Sequence, residues 1–220
     1  MVTKIIRENV KYTNLVLALI AAAAIFLSGL LLGERITSFQ IEEVGKEQEG
    51  LKTSIEGLEL RYKLLEANVC EFSNFNKFGE ELDDLGQRIA GIESRYNKDD
   101  PRILEIKEPY FLLEIRHYLL LKEAKESCGS DYDLALYFYS NDKEQCEECD
   151  KQGYILGYLQ KKRGYDKLKI YSFDIRSNSP SVQTLLEIHK VDRVPAIVVN
   201  EKTYSGFLTL EEIGGKLAKN

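Results

Sequence analysis

Leu134-Ala-Leu-Tyr-Phe-Tyr139 and, after six intervening residues, Cys146-Glu147-Glu148-Cys149 form the stretch on which the reading of this chain turns. The first run reads as a buried strand, and the cysteine pair opens a helix that continues to about Arg163 and stops at Gly164. A cysteine at a helix N-terminus meets the positive end of the helix dipole and unpaired backbone amides. Both favour thiolate, the form that attacks disulfides. Thiol–disulfide chemistry is the first expectation.

Further strands and helices surround this unit. Lys167–Asp174 reads as a strand, and Asn178-Ser179-Pro180 announces a helix over about 180–190, with Ser179 as N-cap and proline in the first turn. Val194-Pro195 leads directly into the β-branched run Ala196-Ile-Val-Val199. A turn at Asn200-Glu201-Lys202, a short strand Thr203–Ser205, Gly206 and a helix from about Thr209 to Lys216 complete the order β-α-β-α-β-β-α.

On these residues the segment from about 131 to 218 resembles the thioredoxin-like family. Cys146 and Cys149 match its CxxC, Val194-Pro195 its cis-proline, and Gly206 the glycine after its last hairpin. The resemblance implies that Cys146 is an exposed nucleophile and Cys149 the resolving thiol. It also implies that Val194 and Pro195 form a backbone platform for a partner's disulfide. Three features depart from the family. Gln145 precedes the first cysteine and two glutamates separate the pair. No carboxylate lies on the first core strand between Leu134 and Tyr139. The loop from Ser140 to Gln145 is longer and more polar. Glu147 and Glu148 oppose the helix dipole and destabilise thiolate, which favours the disulfide form and a more reducing couple.

Leu15 to Leu32 carries no charge, and Lys4, Arg7 and Lys11 precede it. That pattern predicts a transmembrane signal anchor at 15–33, with residues 1–14 cytoplasmic and the rest of a single-pass cell-membrane protein extracytoplasmic. A cleavable signal peptide is the rival; its hydrophobic core is usually shorter, though Ala22-Ala23-Ala24 resembles a cleavage site. From Ile41 the apolar residues fall into heptads, with Ile41, Gln48, Ile55, Tyr62 and Val69 at a, and Val44, Leu51, Leu58, Leu65 and Phe72 at d. This predicts a coiled-coil stalk over 36–73, either pairing in a parallel homodimer or packing on its own chain. Two further apolar series, Phe75 to Tyr96 and Ile103 to Leu121, predict a helical hairpin over 74–128 broken near Pro101. An antiparallel hairpin returns residue 128 towards residue 70, so Cys70 and Cys128 are expected to form a structural disulfide. The alternative is two unrelated buried thiols.

The net charge of −6 over 220 residues gives no support to nucleic-acid binding. There is no second CxxC or His-x-x-x-His to complete a zinc site, and no phosphate loop or nucleotide fingerprint, so no metal or cofactor is expected. His117 and His189 read as surface or packing residues. The acidic pairs Glu42-Glu43, Glu80-Glu81 and Asp83-Asp84 read as solvated helix faces. The expected fold class is an α/β thioredoxin-like domain over 131–220, preceded by a transmembrane helix and the coiled-coil and hairpin region. The expected function is that of a membrane-anchored thiol–disulfide oxidoreductase acting on protein thiols outside the cytoplasm. Its rival is a non-catalytic interaction or tethering protein of the same fold.

Overall fold

Among the described residues the first half of the chain is helical, and the second half holds a small sheet with three more helices. The computed structural model describes residues 16–30, 50, 52–65, 69–70, 75–95 and 101–217, which hold seven helices and four strands in a helix-rich α/β fold. The chain divides into two units, Met1–Gly50 and Leu51–Asn220.

In the first unit, α1 runs over 16–30 and all its residues are exposed. This corrects the transmembrane anchor expected at 15–33. Among the described residues no helix is long and apolar enough to cross a membrane. The single-pass cell-membrane location, with the C-terminal domain extracytoplasmic, falls with it; residues 1–14 lie outside the described residues.

In the second unit, α2 runs over 52–65, α3 is Phe75–Arg95 and α4 is Pro101–Cys128. Phe78, Leu82, Leu85, Ile89 and Ile92 of α3 recur three or four residues apart, and all are buried. The heptad positions that fall in α2, Ile55, Leu58, Tyr62 and Leu65, are buried too, within the same chain. The Tyr62 ring meets Phe78 edge-on at 4.4 Å, and its hydroxyl donates to the Leu113 carbonyl at 3.5 Å. This part of the heptad seam therefore packs on the chain's own hairpin; the heptad positions at 41, 44, 48, 51 and 72 lie outside the described residues. Cys70 and Cys128, with Cα atoms 5.5 Å apart, are joined in a disulfide at the last residue of α4.

The sheet is built from β1 (Asp133–Tyr139), β2 (Leu168–Asp174), β3 (Ala196–Val199) and β4 (Lys202–Ser205) in the order β2-β1-β3-β4. β1 runs parallel to β2 and antiparallel to β3, and β3 runs antiparallel to β4. The intervening helices are α5 (Cys149–Arg163), α6 (Pro180–Ile188) and α7 (Leu210–Leu217). Leu156 and Leu159 of α5 and Ile213 and Leu217 of α7 pack with Ala135, Tyr137, Ile197 and Val199 in one core. Gln152 fixes the approach to α7: its side-chain oxygen accepts the Leu208 N–H at 2.7 Å and its amide donates to the Leu208 carbonyl at 3.3 Å. Ser179 takes the N-cap position of α6, but its hydroxyl makes no capping bond.

β2 is an edge strand, and α4 covers that edge. Phe111 meets Phe173 at 5.7 Å, Tyr118 and His117 meet Tyr171 at 5.8 and 5.7 Å, and Glu114 Oε1 accepts the Ser172 N–H at 3.1 Å. A side-chain carboxylate thus takes up an edge amide that another strand could otherwise pair with. Because α4 packs on helices and sheet at once, its apolar residues do not confine themselves to one stripe. From Leu51 onward helices and sheet form one unit, so this part of the expected stalk does not hold a separate domain at a distance.

Candidate functional site

Strand register sets the site. Phe138 lies opposite Ala196 in the β1–β3 ladder, which brings the next residues, Tyr139 and Pro195, to the same end of the sheet. The Val194-Pro195 bond is cis, Pro195 is buried and Val194 half-buried. After β1 the chain turns tightly on Asp142. Its carbonyl accepts the N–H groups of Gln145 and Cys146 at 3.1 and 2.9 Å, and its carboxylate accepts that of Glu144 at 2.9 Å. The Ser140 hydroxyl bridges the turn, donating to Gln145 Oε1 at 3.0 Å and accepting the Asp142 N–H at 3.1 Å. The longer polar loop is thus internally bonded.

Cys146 and Cys149 form a disulfide, with Cα atoms 5.5 Å apart, and Cys149 is the first residue of α5. The Ser140 N–H donates to Cys149 Sγ at 3.4 Å, and the Tyr137 hydroxyl donates to the Cys149 carbonyl at 2.6 Å. Cys146 is 6 % and Cys149 4 % exposed. The expectation of an exposed Cys146 is corrected: the compact loop leaves both cysteines largely covered. Glu147 is exposed, while Glu148 is half-buried with Oε1 4.0 Å from Lys151 Nζ.

A buried polar cluster ties the loop to the helices. Lys107 Nζ of α4 lies 3.0 Å from Glu93 Oε1 of α3 and 3.1 Å from Asp174 Oδ2 at the end of β2. Asn141 donates to the same two carboxylates at 2.5 and 3.4 Å, and Arg176 bonds Asp174 from the other side. Burial alone would lower the Lys107 ammonium, but Tyr139, Asp174 and Glu93 outweigh it and hold the group above the ordinary lysine value. Burial likewise pushes Asp174 up, and its bonds to Arg176 and the Lys107 charge bring it below the usual carboxylate range.

A cavity of about 650 Å³ opens between α3, α4, α5 and the β1–β2 face; Cys149, Tyr137, Tyr139 and Lys107 are among its lining residues. Glu114 also lines it, and burial pushes its carboxyl well above the ordinary value. Asp83 reaches the same cavity and is pushed up to about 6, chiefly by burial. It is therefore not the solvated residue its Asp-Asp pair suggested. His117 is buried among Tyr62, Phe78 and Tyr171, as a packing residue, and burial pushes its pKa down to about 3.

The two cysteine pairs at disulfide distance make the chain compatible with redox chemistry. Among the described residues no cluster of three or more His, Cys, Asp or Glu could hold a metal ion. Lys107, Glu114 and Asp174 escaped the sequence reading. Lys107 and Glu114 lie two helical turns apart on one side of α4, a polar i, i+7 pair within an otherwise apolar run that marks where the helix turns its charges inward. No protein-family model and no curated protein matches the chain.

Proposed function

We propose that the chain is a protein thiol–disulfide oxidoreductase of thioredoxin type, working through Cys146-Glu147-Glu148-Cys149. The observation that carries this reading is the placement of the Cys146–Cys149 disulfide between the end of β1 and the start of α5, with an N–H donor on Cys149 Sγ and Pro195 at the same sheet end.

In the oxidising direction, a substrate thiolate attacks Cys146 Sγ and the Cys146–Cys149 bond breaks. Cys149 leaves as a thiolate that accepts the Ser140 N–H. The substrate's second thiolate then attacks the substrate sulfur of the mixed disulfide and releases Cys146. The two protons lost by the substrate end on the cysteines, and the substrate leaves as a disulfide. Reduction of a substrate is the same sequence reversed.

The burial of both cysteines favours a second reading, a non-catalytic binding protein in which the disulfide holds the start of α5 in place. Cys149→Ala separates the two. On exposure to oxidised glutathione, an oxidoreductase accumulates a mixed disulfide at Cys146, seen as one glutathione adduct by intact mass. Its wild-type form also reduces insulin disulfides in the presence of a dithiol. Absence of the adduct together with background insulin reduction sinks the redox reading.

A further inference from the structure

We propose that the cavity between α3, α4 and α5 is a binding site for a small organic ammonium compound, an amine carried on an apolar or aromatic body. Its size, about 650 Å³, is that of a small-molecule site. The proposal does not rest on the thiol chemistry.

The wall is aromatic, and it already holds one cation. Lys107 Nζ lies 5.6 Å from the Phe111 ring centre and 5.2 Å from that of Tyr139. Tyr110, Tyr154 and Tyr165 add further aromatic surface, and Tyr154, 81 % exposed, marks the open end. Aromatic faces attract cations through the ring quadrupole, most strongly where water is excluded.

The charge of the lining has the complementary sign. Among the described lining residues Lys107 is the one cation, and Glu93 and Asp174 already engage it. Asp83 and Asp150 remain, beside Glu114, whose carboxyl burial holds above the ordinary value and which a bound cation would draw towards its ionised form. Lys169, which lines a small void behind Asp83 and Glu114 rather than the cavity itself, offsets part of this charge. Glu114 is the telling residue. It is 3 % exposed, and its Oε1 accepts from the Ser172 N–H and the Tyr110 hydroxyl, while the buried Oε2 has no partner. An unpartnered buried acceptor is costly, and a ligand N–H would satisfy it.

The helix lining is cut back as a ligand space requires. Gly153 and Gly157, one turn apart in the interior of α5, both face the cavity. A Cβ at Gly157 would meet nothing within 4 Å, and one at Gly153 would meet only Tyr137 at an ordinary 3.8 Å. Neither packing nor a positive φ calls for glycine there, yet each costs the helix about 1 kcal/mol relative to alanine. Keeping the space open accounts for both.

The test titrates the full chain with 2-phenylethylammonium, 2-phenylethanol and 3-phenylpropionate, followed by calorimetry and ligand-observed NMR. The ammonium compound is expected to bind one-to-one and at least about tenfold more tightly than the other two. Glu114→Gln is expected to weaken it about tenfold. Gly157→Leu, which fills the cavity from an exposed helix position and retains Glu114, is expected to abolish binding with the far-UV spectrum unchanged. Equal binding of the three probes, or full binding by the folded Gly157→Leu variant, overturns the proposal. If Glu114→Gln fails to fold, the probe series and Gly157→Leu decide.

Discussion

Lys107 Nζ lies 3.1 Å from Asp174 Oδ2, joining the middle of the helical region to the end of an edge strand through two side chains almost wholly out of water. Removing one member of a buried ion pair costs up to about 3–5 kcal/mol; without Lys107, Asp174 keeps Arg176 and Asn141, while Glu93 loses its ammonium partner. Lys107→Met is expected to lower stability by up to that amount in urea unfolding. The double variant Lys107→Met/Asp174→Asn is expected to lose clearly less than the sum of its single variants, because the second change removes the charge stranded by the first. Additive losses would show that the two groups are not energetically coupled.

The Cys70–Cys128 disulfide closes a loop with a sequence separation of 58, pinning the end of α4 to the segment before α3. Loop-closure entropy puts the stabilisation from a cross-link of this span at about 4 kcal/mol, and measured bonds commonly give somewhat less. Replacing both cysteines by serine is expected to cost about 2–4 kcal/mol at 25 °C. A loss under about 0.5 kcal/mol would mean that α3–α4 packing alone holds the hairpin base.

The parts legible in the sequence are those whose signals are local. The strand ending at Tyr139, the Gly164 stop of α5 and the short β3–β4 hairpin follow from composition and turn chemistry, and the structure places these elements there to within a residue or two. The anchor expected at 15–33 fails because a charge-free apolar run does not by itself make a spanning helix; among the described residues no helix is long and apolar enough to cross a membrane. The heptads of α2 left partner choice open, since an apolar stripe fits another chain or its own hairpin equally well; the structure puts Tyr62 on Phe78. The polar interior was least visible. Glu114 and Lys107 acquire meaning only when α4 meets the edge of β2, a contact between residues 58 and 67 positions apart.

Two buried groups near α4 give stability opposite pH slopes. His117 is held neutral in the fold, its pKa lowered from 6.5 to about 3 by burial and by Lys169. Its contribution is present above pH 6.5 and is lost as pH falls through that window. Asp83 is raised from 3.8 to about 6, mainly by burial, so stability falls as pH rises across its window. Between pH 4 and 6 the two trends oppose one another. Relative to the wild type, His117→Phe is expected to tilt the stability profile downward as pH rises over this range, and Asp83→Asn to tilt it upward, each by at most about 1.4 kcal/mol per pH unit. Urea midpoints at pH 4, 5 and 6 provide the check, and parallel profiles for the two variants would refute the assignment.

On the proposed redox reading, the carboxylates beside Cys146 and Cys149 set the potential of the couple. Glu147 and Glu148 place two carboxylates within the segment that opens α5, against the sense of the helix dipole, while Ser140 supplies an N–H donor to Cys149 Sγ. Negative charge beside a reduced pair destabilises thiolate and so favours the disulfide, giving a couple well below the roughly −120 mV of strong dithiol oxidants. Exposure of Glu147 and the Lys151 partner of Glu148 moderate the effect. Changing both glutamates to glutamine is therefore expected to raise the potential by about 10–30 mV, in the oxidising direction. Equilibration against glutathione redox buffers, read by alkylation and mass, measures both values. A wild-type potential near −120 mV, or a downward shift in the double variant, would show that the sulfurs do not sense these carboxylates and that other groups set the couple.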